Sequence, residues 1–174
     1  MTDFFNRPPK NNLEKSPVIE IATEKDWEAF KKIRLDAIAK DPEAFGSSPE
    51  RLLKESNRSE EEWKDILKKD SQFILLAKNG LEPIGLEVTR KGKEENEWHT
   101  LSVYIKEEFR GLGIGKEIFE KTLEEIRKRG GKKVTLNVNR NEAQEAARNM
   151  YEKHGFKIIN TDAYNFYDME LNLD

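Results

Sequence analysis

The chain has 174 residues, 36% hydrophobic and 37% charged, with a formal net charge of −3. That length suits one domain with a sizeable core, and the slight acidity argues against a protein that coats nucleic acid or an anionic membrane. Cysteine is absent, which removes disulfides, thiolate metal sites and a cysteine nucleophile together, and the two histidines, His99 and His154, are too far apart to suggest a zinc cluster.

Residues 1–16 are polar, with Pro8-Pro9 and Asn11-Asn12, and read as a flexible N-terminal arm ahead of a single domain over 17–174. Val18 to Ile21 is a short strand. Thr23, with Asp26 three positions on, marks a helix start, and Trp27, Phe30, Ile33, Ala37 and Ile38 mark its inner face up to about Lys40. Asp41 to Pro49 carries turn chemistry. Ser59 and Glu62 have capping-box spacing, so a second helix should carry Trp63, Ile66 and Leu67 inward.

The period then changes to that of strands. Phe73 to Ala77 and Pro83 to Arg90 flank Asn79-Gly80, a hairpin signal, with Ile84, Leu86 and Val88 expected on one face. Trp98 to Ile105 is the third strand of this run. A third helix follows to Arg127-Lys128-Arg129, stopped by Gly130-Gly131. Lys133 to Val138 is a strand, Asn141 opens a fourth helix that Gly155 ends, and the last strands are Phe156 to Asn160 and Tyr164 to Leu173. No apolar run is long enough to cross a membrane and the N-terminus lacks a signal-peptide core, so a cytoplasmic protein is expected.

Between the third strand and the third helix stands Arg110-Gly111-Leu112-Gly113-Ile114-Gly115-Lys116. A helix start carries N–H groups without intrahelical partners and a partial positive charge, and glycine keeps side chains out of an anion's way. The turn is therefore an anion cradle, suited to phosphate or pyrophosphate. A Walker-type loop needs four residues between its first glycine and Gly-Lys, and here three separate Gly111 from Gly115, with Glu117 where a hydroxyl should follow. A dinucleotide fingerprint needs glycine where Lys116 stands and an acid where the next strand ends in Val138-Asn139.

The pattern that fits is Arg-x-x-Gly-x-Gly, met by Arg110, Gly113 and Gly115, trailed by Tyr151, Gly155 and Phe156 in a Tyr-x-x-x-Gly-Phe element. With the upstream order of elements, this resembles the GNAT family of N-acetyltransferases over about residues 18–173. The resemblance implies an α+β fold of three layers, α/β/α, around a mixed, mostly antiparallel sheet of about seven strands with four helices. It implies acetyl-CoA as cosubstrate and a small-molecule or peptide amine as acceptor, attacked within a ternary complex. The alternative is an acyl-CoA-binding sensor on the same fold that has lost catalysis. C-terminal edge strands leave room for a homodimer.

In that family, the pyrophosphate lies on the glycine turn, which places Arg110, Gly111, Gly113, Gly115 and Lys116 around it. The pantetheine arm pairs with the preceding strand, which assigns Val103 and Ile105 as backbone partners. Family members often have proline where Lys106 stands. They also tend to carry an asparagine seven residues before the tyrosine; Gln144 holds that position and Asn141 lies three earlier, where an N-cap role serves equally well. Tyr151 matches the tyrosine proposed as acid for the leaving thiolate, although a core aromatic would satisfy the same spacing. For a base, Glu97 and His99 share one strand face, and Glu87 is a further candidate. Asp41, Glu43, Glu50, Glu55 and Glu60 to Glu62 either attract a cationic amine or form solvated faces, and the short Thr161-Asp162-Ala163 loop suggests an open acceptor site.

Overall fold

The computed structural model describes residues 16–42, 45, 48–161 and 165–173. The expected arm up to residue 15, Glu43, Tyr164 and the Asp162-Ala163 loop lie outside the described residues. In chain order the elements are β1 (Val18–Ile21), α1 (Trp27–Lys40), α2 (Pro49–Ser56), α3 (Glu60–Leu67), β2 (Gln72–Asn79), β3 (Glu82–Lys91), β4 (Glu97–Ile105), α4 (Ile114–Lys128), β5 (Lys133–Asn139), α5 (Glu145–Lys153), β6 (Lys157–Thr161) and β7 (Phe166–Asn172).

The strands form one sheet in the order β1-β2-β3-β4-β5-β7-β6. Every neighbouring pair is antiparallel except β4 with β5. Helix α4 supplies the crossover that a parallel pair requires. Two cores cover the two faces. On one face Ile118, Phe119 and Ile126 of α4 and Tyr151 of α5 pack with Phe73, Trp98, Val134 and Met169. On the other, Phe30, Ile33 and Ile38 of α1 and Trp63 of α3 pack with Ile74, Leu76, Leu86 and Tyr104. These are the three layers and the mixed sheet that the resemblance implies.

Two local readings change. The described residues hold five α-helices, one more than expected, because α2 begins inside the supposed turn. Its signal was present: Ser48 Oγ accepts from the Arg51 N–H, and Pro49 occupies the first turn, where a missing N–H costs nothing. The second change is in β3. The register slips between Ala77 and Lys78, so Ile84 is the extra residue of a bulge. Ile84 therefore enters the α4-side core while Leu86 and Val88 enter the other. A bulge reverses the alternation at one position, and no periodicity in the sequence reports it.

Capping acts as the sequence suggests. Thr23 and Asp26 exchange hydrogen bonds across a single 3-10 turn that leads into α1. Ser59 and Glu62 form a capping box at α3. Gly130 closes α4 at φ +76°, and Gly131 sits so close beneath Trp98 and Ile126 that a Cβ would meet them at 2.6 and 2.3 Å. The double glycine is thus one left-handed stop and one packing contact. Among the described residues, no helix is long and apolar enough to cross a membrane, and no group of three or more acids and histidines is placed to hold a metal ion.

Candidate functional site

The sheet opens at its centre. Strand β4 pairs with β5 only from Glu97 to Thr100, against Lys133 to Leu136. Beyond that, β5 continues on β7 through Asn139, while β4 continues on β3 through Ile105. A register shift between Val88 and Thr89 marks the point of departure: Val88 faces Ser102 and Thr89 faces Thr100, so Leu101 is the bulged residue. The bulge bends β4 away from β5 and leaves a fork whose edge is the backbone from Leu101 to Ile105.

The direction of that edge follows from one hydrogen bond. Lys106 donates its N–H to Ile84 O on β3 at 2.9 Å. The carbonyl of Ile105 belongs to the same planar trans peptide, so it points the opposite way, into the fork. By the alternation of a strand, the backbone groups of Val103 face the fork as well. An extended amide chain laid in the fork would meet both residues. The Lys106 side chain is taken up elsewhere, with Nζ 2.6 Å from Glu82 Oε1.

The glycine turn stands over the end of this edge. A 3-10 turn, Glu107–Phe109, leads from β4, and Gly111 and Gly113 adopt φ +75° and +83° before α4 begins. Those angles favour glycine for steric reasons alone. Gly115 is different: its φ is ordinary, and the nearest atom to an added Cβ would be Ile105 Cγ1 at 3.9 Å. Its missing side chain is required neither by backbone nor by packing, and it leaves open space above the helix start. The first bond of α4 runs from Glu117 N–H to Gly113 O at 3.0 Å, and no side chain caps the helix. The N–H groups of Ile114, Gly115 and Lys116 thus face that space with the positive end of the helix dipole behind them. Arg110 folds back so that its Nε donates to Ile105 O at 2.9 Å. Lys116 is solvent-exposed, 3.6 Å from Glu120.

Tyr151 lies on the α4 side, buried among Phe119 and Phe156 with ring centroids 5.0 and 5.9 Å away. Burial, and after it the Glu87 carboxylate, raise its pKa, so the hydroxyl keeps its proton throughout the working range. Glu87 lies on β3 as the register partner of Val103. Glu87 is buried in the sheet, 1% exposed. Its Oε1 accepts from Thr89 Oγ1 at 3.3 Å, and its Oε2 has no partner among the described residues. Burial outweighs the threonine hydrogen bonds and pushes its pKa up to about 8.

The strand acids and bases lie further down. Glu97 is ion-paired with Lys133, 3.2 Å away, at the closed end of the β4–β5 pair. Six residues of strand separate it from Val103, roughly 20 Å. His99 Nδ1 is 2.8 Å from Thr135 Oγ1, still within the paired section. Burial lowers the His99 pKa, with Glu97 opposing, so the imidazole is neutral near pH 7. Asn141 caps the 3-10 turn before α5, its Oδ1 accepting from Gln144 N–H at 3.1 Å.

The face opposite α4 holds a cavity of about 380 Å³ against the same bulge, with Val88 and Leu101 in its wall. Glu55, expected to attract a cation or face solvent, is turned inward here and held by Arg34 at 3.2 Å and Arg51 at 3.4 Å. Burial alone would raise the Glu55 carboxyl, but the Arg34 bond and the charges of Arg34, Arg58 and Arg51 hold it below its ordinary value. The cations of this cavity come from α1, α2, the α2–α3 loop, the end of α3 and β3. No local motif announces such a set.

The family model described as Acetyltransferase (GNAT) family matches residues 25–156. None of the curated proteins matches the sequence. Among solved structures, the acetyltransferase of GNAT family from Streptococcus pneumoniae superposes with a TM-score of 0.74 at 20% identity, covering 91% of this chain and 99% of that one. Ribosomal-protein-alanine N-acetyltransferase from Brucella melitensis gives 0.71 at 22% identity, covering 90% and 99%. PaiA N-acetyltransferase from Thermoplasma acidophilum, in complex with coenzyme A, gives 0.69 at 21% identity, covering 91% and 100%. At these identities the likeness is one of fold.

Proposed function

Since the chain belongs to the acetyltransferase (GNAT) family, and is an acyltransferase by that membership, we propose that it moves the acetyl group of acetyl-CoA to a primary amine by direct attack within a ternary complex. The observation that carries this reading is the fork. An open strand edge, Leu101 to Ile105, runs beneath an uncapped helix start whose Gly115 leaves room for a ligand.

The chain's own residues then have these tasks. The N–H groups of Ile114 to Lys116 receive the pyrophosphate, and Arg110 and Lys116 add charge beside it. Val103 and Ile105 pair with the amides of the pantetheine arm, which sets the thioester in the fork. An uncharged amine attacks the carbonyl carbon. The C–S bond breaks as the C–N bond forms, and the leaving sulfur takes a proton or hydrogen bond from Tyr151. The new N–H⁺ group loses its proton to water or to His99, the nearer of the two strand candidates to the fork. Glu97, committed to Lys133, takes no part, and Asn141 serves the backbone of its own turn.

Supporting this assignment, Tyr151 is buried on the α4 side of the sheet with its hydroxyl held protonated, which suits an acid. The test is release of coenzyme A from acetyl-CoA with a broad amine panel. A chain that binds coenzyme A yet acetylates no amine is the sensor instead.

A further inference from the structure

The cavity beside the fork is lined by Arg34, Arg51, Arg58, Lys69 and Arg90, with Glu55 as its one carboxylate among the described residues. The charges are unequally spent. Arg34 Nε and Nη2 both reach Glu55, at 3.2 and 3.3 Å, and Arg51 divides its bonds between Glu55 and Phe45 O. Arg58, Lys69 and Arg90 form no ion pair among the described residues. Neutral groups orient two of them. The Arg58 guanidinium lies 5.6 Å over the Trp63 ring. Arg90 Nε donates to Gln72 Oε1 at 2.9 Å, and Gln72 is itself fixed by donating to Ile66 O at 2.6 Å. Two guanidiniums are thus held in place without a direct ion pair among the described residues. The wall also contains Trp63, whose buried Nε1–H has no acceptor among the described residues.

Donors and positive charge therefore exceed acceptors in a concave site whose wall is the bulge of β4. A polyamine or other multiply charged cation entering here would face repulsion from every side but one. A carboxylate would be received by forked, pre-oriented donors. We propose that the acceptor is an amine that also carries a carboxylate, and that Arg58, Lys69 and Arg90 bind that carboxylate while the amine reaches the fork. The proposal rests on the fork being the site of acetyl transfer. The cavity is large enough for an amino acid or one end of a peptide, and its wall includes Leu101, the first residue of the open edge.

The experiment compares matched pairs: free amino acids, including ω-amino acids, against their amides, and N-acetyl amino acids against N-acetyl amino amides. Turnover is read as coenzyme A release, and binding of the N-acetyl compounds by calorimetry on the coenzyme A complex. The expected result is a kcat/KM at least tenfold higher for at least one free acid than for its amide. That preference collapses through KM in Arg58→Gln, Lys69→Gln and Arg90→Gln, is retained in Arg58→Lys, and coenzyme A binding stays unchanged in all four. If no amine is acetylated but an N-acetyl amino acid still binds in an Arg58- and Arg90-dependent manner while its amide does not, the carboxylate site stands and the transfer reading falls. Equal use or binding of acids and amides overturns the proposal, as does a preference for polyamines or the absence of any carboxylate-dependent binding.

Discussion

Arg110 Nε donates to the carbonyl of Ile105 at 2.9 Å, across the mouth of the fork where an amide chain would pair. The guanidinium also lies 5.9 Å from the Tyr104 ring centroid, so the residue that opens the glycine motif closes a loop back onto the strand before it. Arg110 therefore braces the turn, and in the proposed complex it also adds charge beside the pyrophosphate. Replacing it with alanine removes both roles. We expect Arg110→Ala to weaken coenzyme A binding about tenfold, the worth of one charge-assisted contact, with a change in stability of under about 1 kcal/mol. Calorimetry and thermal unfolding measure the two separately.

The glycines of the turn should separate in the same way. Gly113→Ala places a side chain at φ +83° and should cost roughly 1 kcal/mol of stability or more. Gly115→Ala strains nothing and meets only Ile105 at 3.9 Å, so the unliganded protein should be as stable or slightly more so, since alanine favours the helix. It should nonetheless lose coenzyme A affinity, because the methyl fills the space above the N–H groups. Unchanged affinity in Gly115→Ala would remove the pyrophosphate from this turn.

Tyr151→Phe keeps the ring packed against Phe119 and Phe156 and deletes only the hydroxyl. If that hydroxyl serves the leaving sulfur, kcat should fall on the order of a hundredfold while coenzyme A binding holds. A variant with full kcat would make Tyr151 a core aromatic and nothing more.

Glu87 makes stability depend on pH with a definite sign. Its folded pKa, about 8, lies above the ordinary 4.5, so the folded chain holds a proton that the unfolded chain has lost across that interval. Below about 4.5 the group contributes no pH dependence. Between there and 8, stability falls as pH rises, by up to about 1.4 kcal/mol per unit, and above 8 the loss is complete. Glu87→Gln should flatten this descent and leave the protein more stable than wild type at pH 8. Denaturant melts of the two at pH 5, 6.5 and 8 read the difference directly.

Gly131→Ala tests the end of α4. Its Cβ would stand 2.3 Å from Ile126 Cγ2 and 2.6 Å from Trp98 Cδ1, both in the core. Overpacking of that kind should cost about 1–3 kcal/mol, visible as a lowered denaturation midpoint.

Much of this architecture is decided locally and is legible along the chain. The capping residues Thr23 and Ser59, the period change at Phe73, the Asn79-Gly80 hairpin and the glycine turn with its helix each depend on neighbours a few positions away. A backbone that must take positive φ or leave N–H groups free announces itself through glycine, and the order of such signals was enough to point to the family. Even the missed helix α2 had its announcement in Ser48-Pro49. Tertiary structure alone decided the rest. Whether β4 leaves β5 after Thr100 depends on how the strand is held between β3 on one edge and β5 on the other, and a bulge at Leu101 or Ile84 leaves no trace in composition. Glu87 and Glu55 carry the same side chain as the solvated glutamates of α3. One was left half-satisfied beneath the sheet and the other was surrounded by arginines from separate elements, because burial and charge neighbourhood belong to the packed chain and not to the residue.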